Sequence, residues 1–225
     1  MTRATARLLT AALSLAFLLG FAGCSSEETV PDGTESQADD TFAEGADRAP
    51  TPRTLHTMAK ILSSQAREDQ AQFVLMRIIR EHPLYMPAYS DLAELLVRDE
   101  RTDDAIETLI LGLKLVPTDP VLLNNLGMCW LLKRDYQRAL ESFAAAAAAV
   151  PEDARYRSNM ATALGMMGRY DEALSLYEQV VPPDEAHHNL GVVCEARGDA
   201  ERAKSEFQLA ARIREEGPAA LAKPQ

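Results

Sequence analysis

Apolar residues recur at helical spacing in the middle of the chain. Four of them fall at i, i+3, i+4 and i+7, on one side of a helix: Leu123, Leu126, Gly127 and Trp130. After a polar interruption at Arg134 and Asp135, four more mark the inner side of a second helix: Tyr136, Ala139, Phe143 and Ala146. Helices joined by so short a connection pack antiparallel. The pattern predicts a helical hairpin whose backbones come closest at Gly127 and Ala139.

The hairpin pattern recurs on both sides of this stretch. Three prolines, Pro83, Pro117 and Pro151, stand 34 residues apart, and matched apolar positions accompany them. Five units are predicted, at about residues 52–85, 86–119, 120–153, 154–183 and 184–217. The fourth unit ends early, at Pro182 and Pro183, so its last turn should be missing.

The spacing of these residues resembles the tetratricopeptide repeat (TPR). The shared features are the spacing of the aromatic, Leu, Gly and aromatic positions in the first helix, Ala and Phe in the second, and a terminal Pro over 34 residues. The resemblance implies an all-α fold, a solenoid of about five helical hairpins over residues 53–217. Each hairpin would bury its apolar side only against its neighbours, giving one elongated domain.

The N-terminus has the features of an export signal. Two arginines precede about 15 apolar residues, which is short for a spanning helix of about 20. Residues 21–24, Phe-Ala-Gly-Cys, resemble the bacterial lipobox, with Phe21 in place of the usual Leu. That resemblance implies a signal peptide at 1–23 and a diacylglycerol and an N-acyl chain on Cys24. Ordinary cleavage, or an uncleaved anchor, is the alternative. Ser25, where an inner-membrane retention signal would have Asp, favours the outer membrane, periplasmic side.

Residues 24–52 are predicted to form a disordered acidic linker. From residue 25 on, this segment holds eight acidic residues and one basic residue, with only Val30 and Phe42 as large apolar groups. It cannot bury enough apolar surface to offset the entropy of ordering. We therefore interpret it as a tether, with a recognition tail as the alternative. Residues 218–225 form a C-terminal tail.

The charge and the motifs narrow the class of function. A net charge of −11 argues against binding to nucleic acid. Cys129 and Cys194 are interpreted as small buried residues in separate repeats. The adjacent His187 and His188 diverge by about 100° on a helix and cannot chelate one metal ion together; His187 is expected to pack inside its repeat. The sequence contains no phosphate-binding loop, HExxH or paired-Cys motif. We expect a non-enzymatic protein without cofactor or small-molecule substrate.

The side of the first helices that turns away from their partner helices is predicted to line a concave groove. Its candidate residues for binding a protein partner are Asn124, Asn125, Met128, Leu132, Arg155, Asn159, Met166, His188, Asn189 and Val192. Asn125, Asn159 and Asn189 share one repeat position, where an amide can bind a peptide backbone or bond within the array. Both interpretations stay open. The Met residues are expected to form an adaptable binding surface rather than core.

A closer resemblance covers residues 120–198. The order of the segments NNLG, RSNMATALGMMGRYDEAL and VVPPDEAHHNLGVVCEARGD, behind a lipoprotein signal, is similar to the TPR lipoprotein of the Tad (tight adherence) type IVc pilus assembly system. The resemblance implies an outer-membrane scaffold whose partners are the secretin or other pilus-assembly components. A pilotin or another envelope-assembly TPR lipoprotein is the alternative, and an accessory subunit of an envelope enzyme is a third hypothesis.

Overall fold

The computed structural model describes residues 49–217, and all regular secondary structure within this range is α-helical. The helices are α1 (Pro52–Ser64), α2 (Glu68–Glu81), α3 (Met86–Arg98), α4 (Thr102–Leu115), α5 (Pro120–Leu132), α6 (Tyr136–Ala149), α7 (Ala154–Met166), α8 (Tyr170–Glu178), α9 (Pro183–Arg197) and α10 (Ala200–Glu216). The predicted signal peptide, Cys24, most of the acidic linker and the C-terminal tail lie outside the described residues.

The helices form five hairpins, each an odd-numbered helix followed by an even-numbered one. Every helix packs against the next along the chain, and contacts between α3 and α5 and between α7 and α9 join the first helices of successive hairpins. The prediction of an all-α solenoid of five helical hairpins is confirmed. Within residues 49–217, no helix combines the length and the apolar character needed to cross a membrane.

Local sequence explains where the helices begin. Prolines occupy the first turns of α1, α5 and α9, where a missing N–H costs nothing. Side chains of Thr51, Asp119 and Asp153 accept hydrogen bonds from the first backbone N–H groups of α1, α5 and α7. Such N-caps satisfy donors that have no partner inside the helix.

The two helices of every hairpin are joined through one left-handed residue. It stands directly before the N-cap of each second helix, with φ between 55° and 93°: Ala66, Glu100, Arg134, Gly168 and Gly198. Left-handed backbone suits Gly and strains other residues. Three of the five hairpins therefore carry a strained residue at this turn.

A small residue in each first helix faces a large residue of the second helix, 16 positions later. A Cβ added at Gly127 would lie 2.5 Å from Cε1 of the Phe143 ring, and one at Gly191 would lie 2.6 Å from the Phe207 ring. The ring of Phe143 therefore fills the space beside Gly127. That the two backbones come closest at Gly127 and Ala139 stays a prediction. The corresponding pairs in the first two hairpins, Ala59 with Leu75 and Ala93 with Leu109, belong to one buried cluster.

The fourth hairpin is shorter than the others. Its second helix, α8, has 9 residues, whereas α2, α4 and α6 have 14 each. The chain turns at Val181 and Pro182 directly into α9, which also approaches α7 closely: a Cβ on Gly165 would lie 2.6 Å from Cγ1 of Val193. The predicted loss of the last turn is therefore present in the structure.

Candidate functional site

Hydrogen bonds between first helices join the first four hairpins at regular intervals. Three successive junctions each contain a pair of side chains 35 residues apart: His56 with Asp91 (2.7 Å), Ser90 with Asn125 (2.8 Å) and Asn124 with Asn159 (2.7 Å). In every pair, the fifth residue of one hairpin meets the sixth residue of the next. We call these three pairs the polar ladder.

Two of the three asparagines at the shared repeat position belong to this ladder. Nδ2 of Asn125 donates to Oγ of Ser90, and Nδ2 of Asn159 donates to Oδ1 of Asn124. Asn124 and Asn125 are 5% and 2% exposed, and Nδ2 of Asn124 also lies 3.4 Å from Oδ1 of Asn125. For Asn125 and Asn159, the structure therefore shows amides that bond within the array.

The ladder stops at the junction between the fourth and fifth hairpins. The corresponding residues there are Ser158 and Asn189, both half-buried, and no hydrogen bond from the Asn189 side chain is found within residues 49–217. This junction follows the shortened α8. Asn189 is thus the one asparagine of the shared position whose amide has no partner in the described part of the chain.

Of the four apolar candidate residues for partner binding, Met128, Leu132, Met166 and Val192, the two methionines are buried. Met128 and Met166 are 3% and 8% exposed, so the expectation that they form an open surface is wrong. Met128 packs in a cluster with Leu131, Ala139, Phe143 and Ala163, because the neighbouring helices α6 and α7 close over it. Leu132 is half-buried. Val192, on α9, is 37% exposed.

The accessible part of the predicted site lies on α7 and α9. Arg155 and His188 are exposed, Asn189 is half-buried, and Val192 is partly exposed. The Arg155 guanidinium donates to both carboxylate oxygens of Asp153, and these hydrogen bonds lower the pKa of Asp153. The ring of His188 lies 5.4 Å from that of Phe207. A cation, an imidazole, an amide and an apolar side chain are therefore presented by two neighbouring helices.

Beside this surface lies a buried charge cluster that the sequence analysis missed. Nδ1 of His187 lies 2.7 Å from Oε2 of Glu206, and Nε of Arg202 donates to Oε1 of Glu206 at 2.7 Å. His187 and Glu206 are 5% and 4% exposed, which confirms that His187 packs inside its repeat. Glu206 comes three residues after Ala203 and four before Ala210, both buried. That spacing was a signal that its carboxylate faces inward.

The cysteines and acidic residues of the described chain show no arrangement for redox or metal chemistry. Cys129 and Cys194 are free and fully buried, as expected from the sequence. Burial raises the pKa of the Cys129 thiol to about 12. Within residues 49–217, no three His, Cys, Asp or Glu residues are grouped so that they could hold a metal ion.

Comparison with known proteins agrees with this architecture. Three profiles described as tetratricopeptide repeat match residues 90–154, 131–185 and 184–216, which together span more than half of the 225 residues. A mouse (Mus musculus) relative, Protein O-mannosyl-transferase TMTC1, is 26% identical over 137 residues, or 59% of this chain. The chain spans only 14% of the length of that relative.

Solved structures share the fold at low sequence identity. MamA from Desulfovibrio magneticus RS-1 (residues 41 to the end) superposes with a TM-score of 0.59 at 18% identity, covering 74% of this chain and 97% of its own. YrrB, described as a TPR protein with an unusual peptide-binding site, superposes with a TM-score of 0.56 at 21% identity, covering 76% and 91%. With five stacked helical hairpins and three matching profiles, the chain belongs to the tetratricopeptide repeat family.

Proposed function

We propose that this protein is a non-enzymatic lipoprotein scaffold of the outer membrane, in which the TPR array binds a protein partner in the periplasm. A diacylglycerol and an N-acyl chain on Cys24 would anchor it, with the acidic linker as tether. The order of segments in residues 120–198 supports a role in Tad-type pilus assembly, with the secretin or another assembly component as partner. Scaffolding through stacked repeats is the general use of this family's extended surfaces.

One observation supports the location of the binding site: the polar ladder is absent at the fourth junction, where Asn189 lies. At the three earlier junctions, the sixth residue of the later hairpin is hydrogen-bonded to the fifth residue of the hairpin before it. At the fourth junction, the amide of Asn189 keeps both donor and acceptor available for a partner. A peptide backbone offers the matching acceptor and donor.

The surroundings of Asn189 suit an extended segment or a helix with an apolar anchor. Val192 lies three residues further along α9 and is 37% exposed, which provides a contact for an apolar side chain. Arg155 on α7 and Glu185 on α9, both exposed, provide charges of opposite sign. Peptide recognition of this kind uses backbone hydrogen bonds for affinity and side-chain contacts for specificity.

The site is tested by the double variant Asn189→Ala, Val192→Ala. Truncation of central interface residues costs about 2 kcal/mol or more each, so we expect co-purification of the secretin from detergent-solubilised envelopes to fall by more than about 30-fold. Glu107→Ala, an exposed change on α4, is the matched control and should leave recovery unchanged. Undiminished recovery with the double variant at equal abundance would move the binding site away from α9.

The anchor is tested separately by Cys24→Ser. The thioether and N-acyl chains supply the proposed membrane attachment, so the variant should lose palmitate labelling and sedimentation with membranes. Globomycin should cause the wild-type precursor to accumulate. Mature wild-type protein that sediments with membranes but carries no label would contradict the lipoprotein assignment, without affecting the test at Asn189.

A further inference from the structure

The N-terminal end of the array exposes a face that is covered in every later hairpin. The third, seventh and tenth residues of the later hairpins, which pack on the preceding hairpin, are buried or half-buried: Ala88, Leu92, Leu95, Leu122, Leu126, Cys129, Tyr156, Met160, Ala163, Ala186, Leu190 and Val193. The same positions in α1 are Thr54, Met58 and Ile61. Thr54 is exposed, and Met58 and Ile61 are 50% and 52% exposed. The face of α1 is built to be covered, and nothing in residues 49–217 covers it.

This face contains an open cleft with a positive rim. The cleft has a volume of about 630 Å³ and is lined by Met58, Ile61 and Leu62, with Arg53 and Arg67 at its border. Lys60 is exposed on the same helix, and α1 contains no acidic residue. Apolar clefts of about 300–1,000 Å³ with a few polar groups are typical binding sites. The lining fits an occupant with an apolar anchor and negative charge.

A second copy of the chain is a poor occupant for this face. Stacking head to tail would place the α10 end of one array on α1 of another. At that end, Lys204 is exposed at the position held by Ile106, Leu140 and Leu174 in earlier hairpins. Two α1 faces meeting each other would bring like charges together, which is unfavourable.

The segment that leads into α1 has the complementary chemistry. Ala38, Phe42 and Ala46 stand four residues apart, so in a helical turn they would share one side. The acidic residues among and directly after them are Asp39, Asp40, Glu44 and Asp47. Phe42 precedes the N-cap Thr51 by nine residues, enough chain to span up to about 30 Å. From Thr54 to Ile61, α1 rises only about 10 Å.

We infer that residues 38–48 of this same chain cap the N-terminal end of the array. The Phe42 ring enters the cleft between Met58 and Ile61, and the neighbouring carboxylates lie against Arg53, Lys60 and Arg67. The acidic segment then has two parts: a tether before residue 38, and a cap that closes the first hairpin. The cap does for α1 what the preceding hairpin does for every other first helix.

Cross-linking tests this inference in the full-length protein, solubilised in detergent and carrying Cys24→Ser. The cysteines of Ala43→Cys and Thr57→Cys should form an intramolecular disulfide. Adding Phe42→Ser should slow its formation about tenfold or more, because burial of a Phe side chain strengthens the docking of the cap by at least that factor. Replacing Ala43→Cys with Thr29→Cys is the distance control; in an undocked chain, its longer loop alone would slow closure only about threefold.

Two outcomes of the cross-linking experiment contradict the docked cap. A disulfide rate that is the same with Phe42 and with Phe42→Ser would overturn the inference, as would disulfides that form mainly between two chains. Amide hydrogen exchange gives a second measurement without engineered cysteines. Phe42→Ser should speed exchange in α1 about tenfold while leaving α9 unchanged, and unchanged exchange in α1 would also overturn the inference.

Discussion

The amide of Asn159 donates to Oδ1 of Asn124 at 2.7 Å, across the junction between the third and fourth hairpins. Asn124 is 5% exposed, so this bond is shielded from water. A buried hydrogen bond of this kind holds two hairpins in one register, because a slip would leave polar groups without partners. The polar ladder therefore contributes to the geometry of the array as well as to its stability.

Asn124→Ala should lower the free energy of unfolding by about 1–3 kcal/mol, since it leaves the half-buried Asn159 amide without its acceptor. Asn189→Ala is the control at the junction where the ladder is absent, and it should change stability by less than about 0.5 kcal/mol. Urea unfolding followed by circular dichroism measures both. Equal losses for the two variants would show that the ladder has no special structural role.

Gly127→Ala should destabilise the third hairpin by about 1–3 kcal/mol, because the added methyl carbon would lie only 2.5 Å from Cε1 of Phe143. Phe143→Leu recreates the Ala and Leu pair of the first two hairpins. The double variant should therefore lose about 1 kcal/mol less than the sum of the two single variants. Thermal unfolding of all four proteins gives this coupling. Strict additivity would contradict the contact between Gly127 and Phe143.

Glu100→Gly and Arg134→Gly should each stabilise the protein by about 0.5–1 kcal/mol, because both residues have φ near 60° and Gly removes the left-handed strain. Gly198→Ala is the reverse test. A Cβ there meets nothing within 4 Å. The free energy of unfolding should therefore fall by about 1 kcal/mol, and this fall comes only from the strain of a left-handed Ala. Chemical unfolding at pH 7 is the measurement. If Glu100→Gly lowers the stability instead, the extra backbone entropy of Gly in the unfolded chain outweighs the strain that is removed.

Glu206→Gln should lower stability at pH 7 by about 1.5–3 kcal/mol. Burial by itself raises the pKa of Glu206, but hydrogen bonds from His187 and Arg202 outweigh it and hold that pKa below its ordinary value. A carboxylate with a lowered folded pKa stabilises above its unfolded pKa of about 4.3, and this stabilisation is lost as the pH falls through the folded value. Unfolding of wild type and variant from pH 7 to pH 3 should show the difference shrinking below about pH 4. A difference that persists at pH 3 would assign the effect to packing.

The fold could be predicted from the sequence because its helices depend on local, repeated spacing. The prolines at 34-residue intervals and the early end at Pro182 were sufficient to place five hairpins and the shortened one. What local spacing could not predict is how neighbouring hairpins are staggered. At the first three junctions, the stagger pairs the fifth residue of one hairpin with the sixth of the next, which occupies Asn125 and Asn159. At the fourth junction, after the shortened α8, the corresponding Asn189 has no side-chain partner within residues 49–217.

The buried methionines illustrate the same limit. Met128 lies on the side of α5 that helical geometry directs away from α6. Even so, it reaches a cluster that includes Phe143 on α6 and Ala163 on α7. Position on one helix predicts which way a side chain leaves that helix. It does not predict how closely the helices of the adjacent hairpins approach.

The polar ladder has a consequence for how the chain acquires its structure. Each of its three bonds joins residues 35 apart, about one repeat length. Closing a loop of that size has a modest entropic cost, and in a repeat array each unit contacts only its neighbours. A hairpin can therefore pack against its neighbour once the next 35 residues are able to fold. This step does not require the C-terminal part of the chain to be folded. Folding can start at any junction and spread in both directions, and the fourth junction, where the ladder is absent, is where that spread should pause.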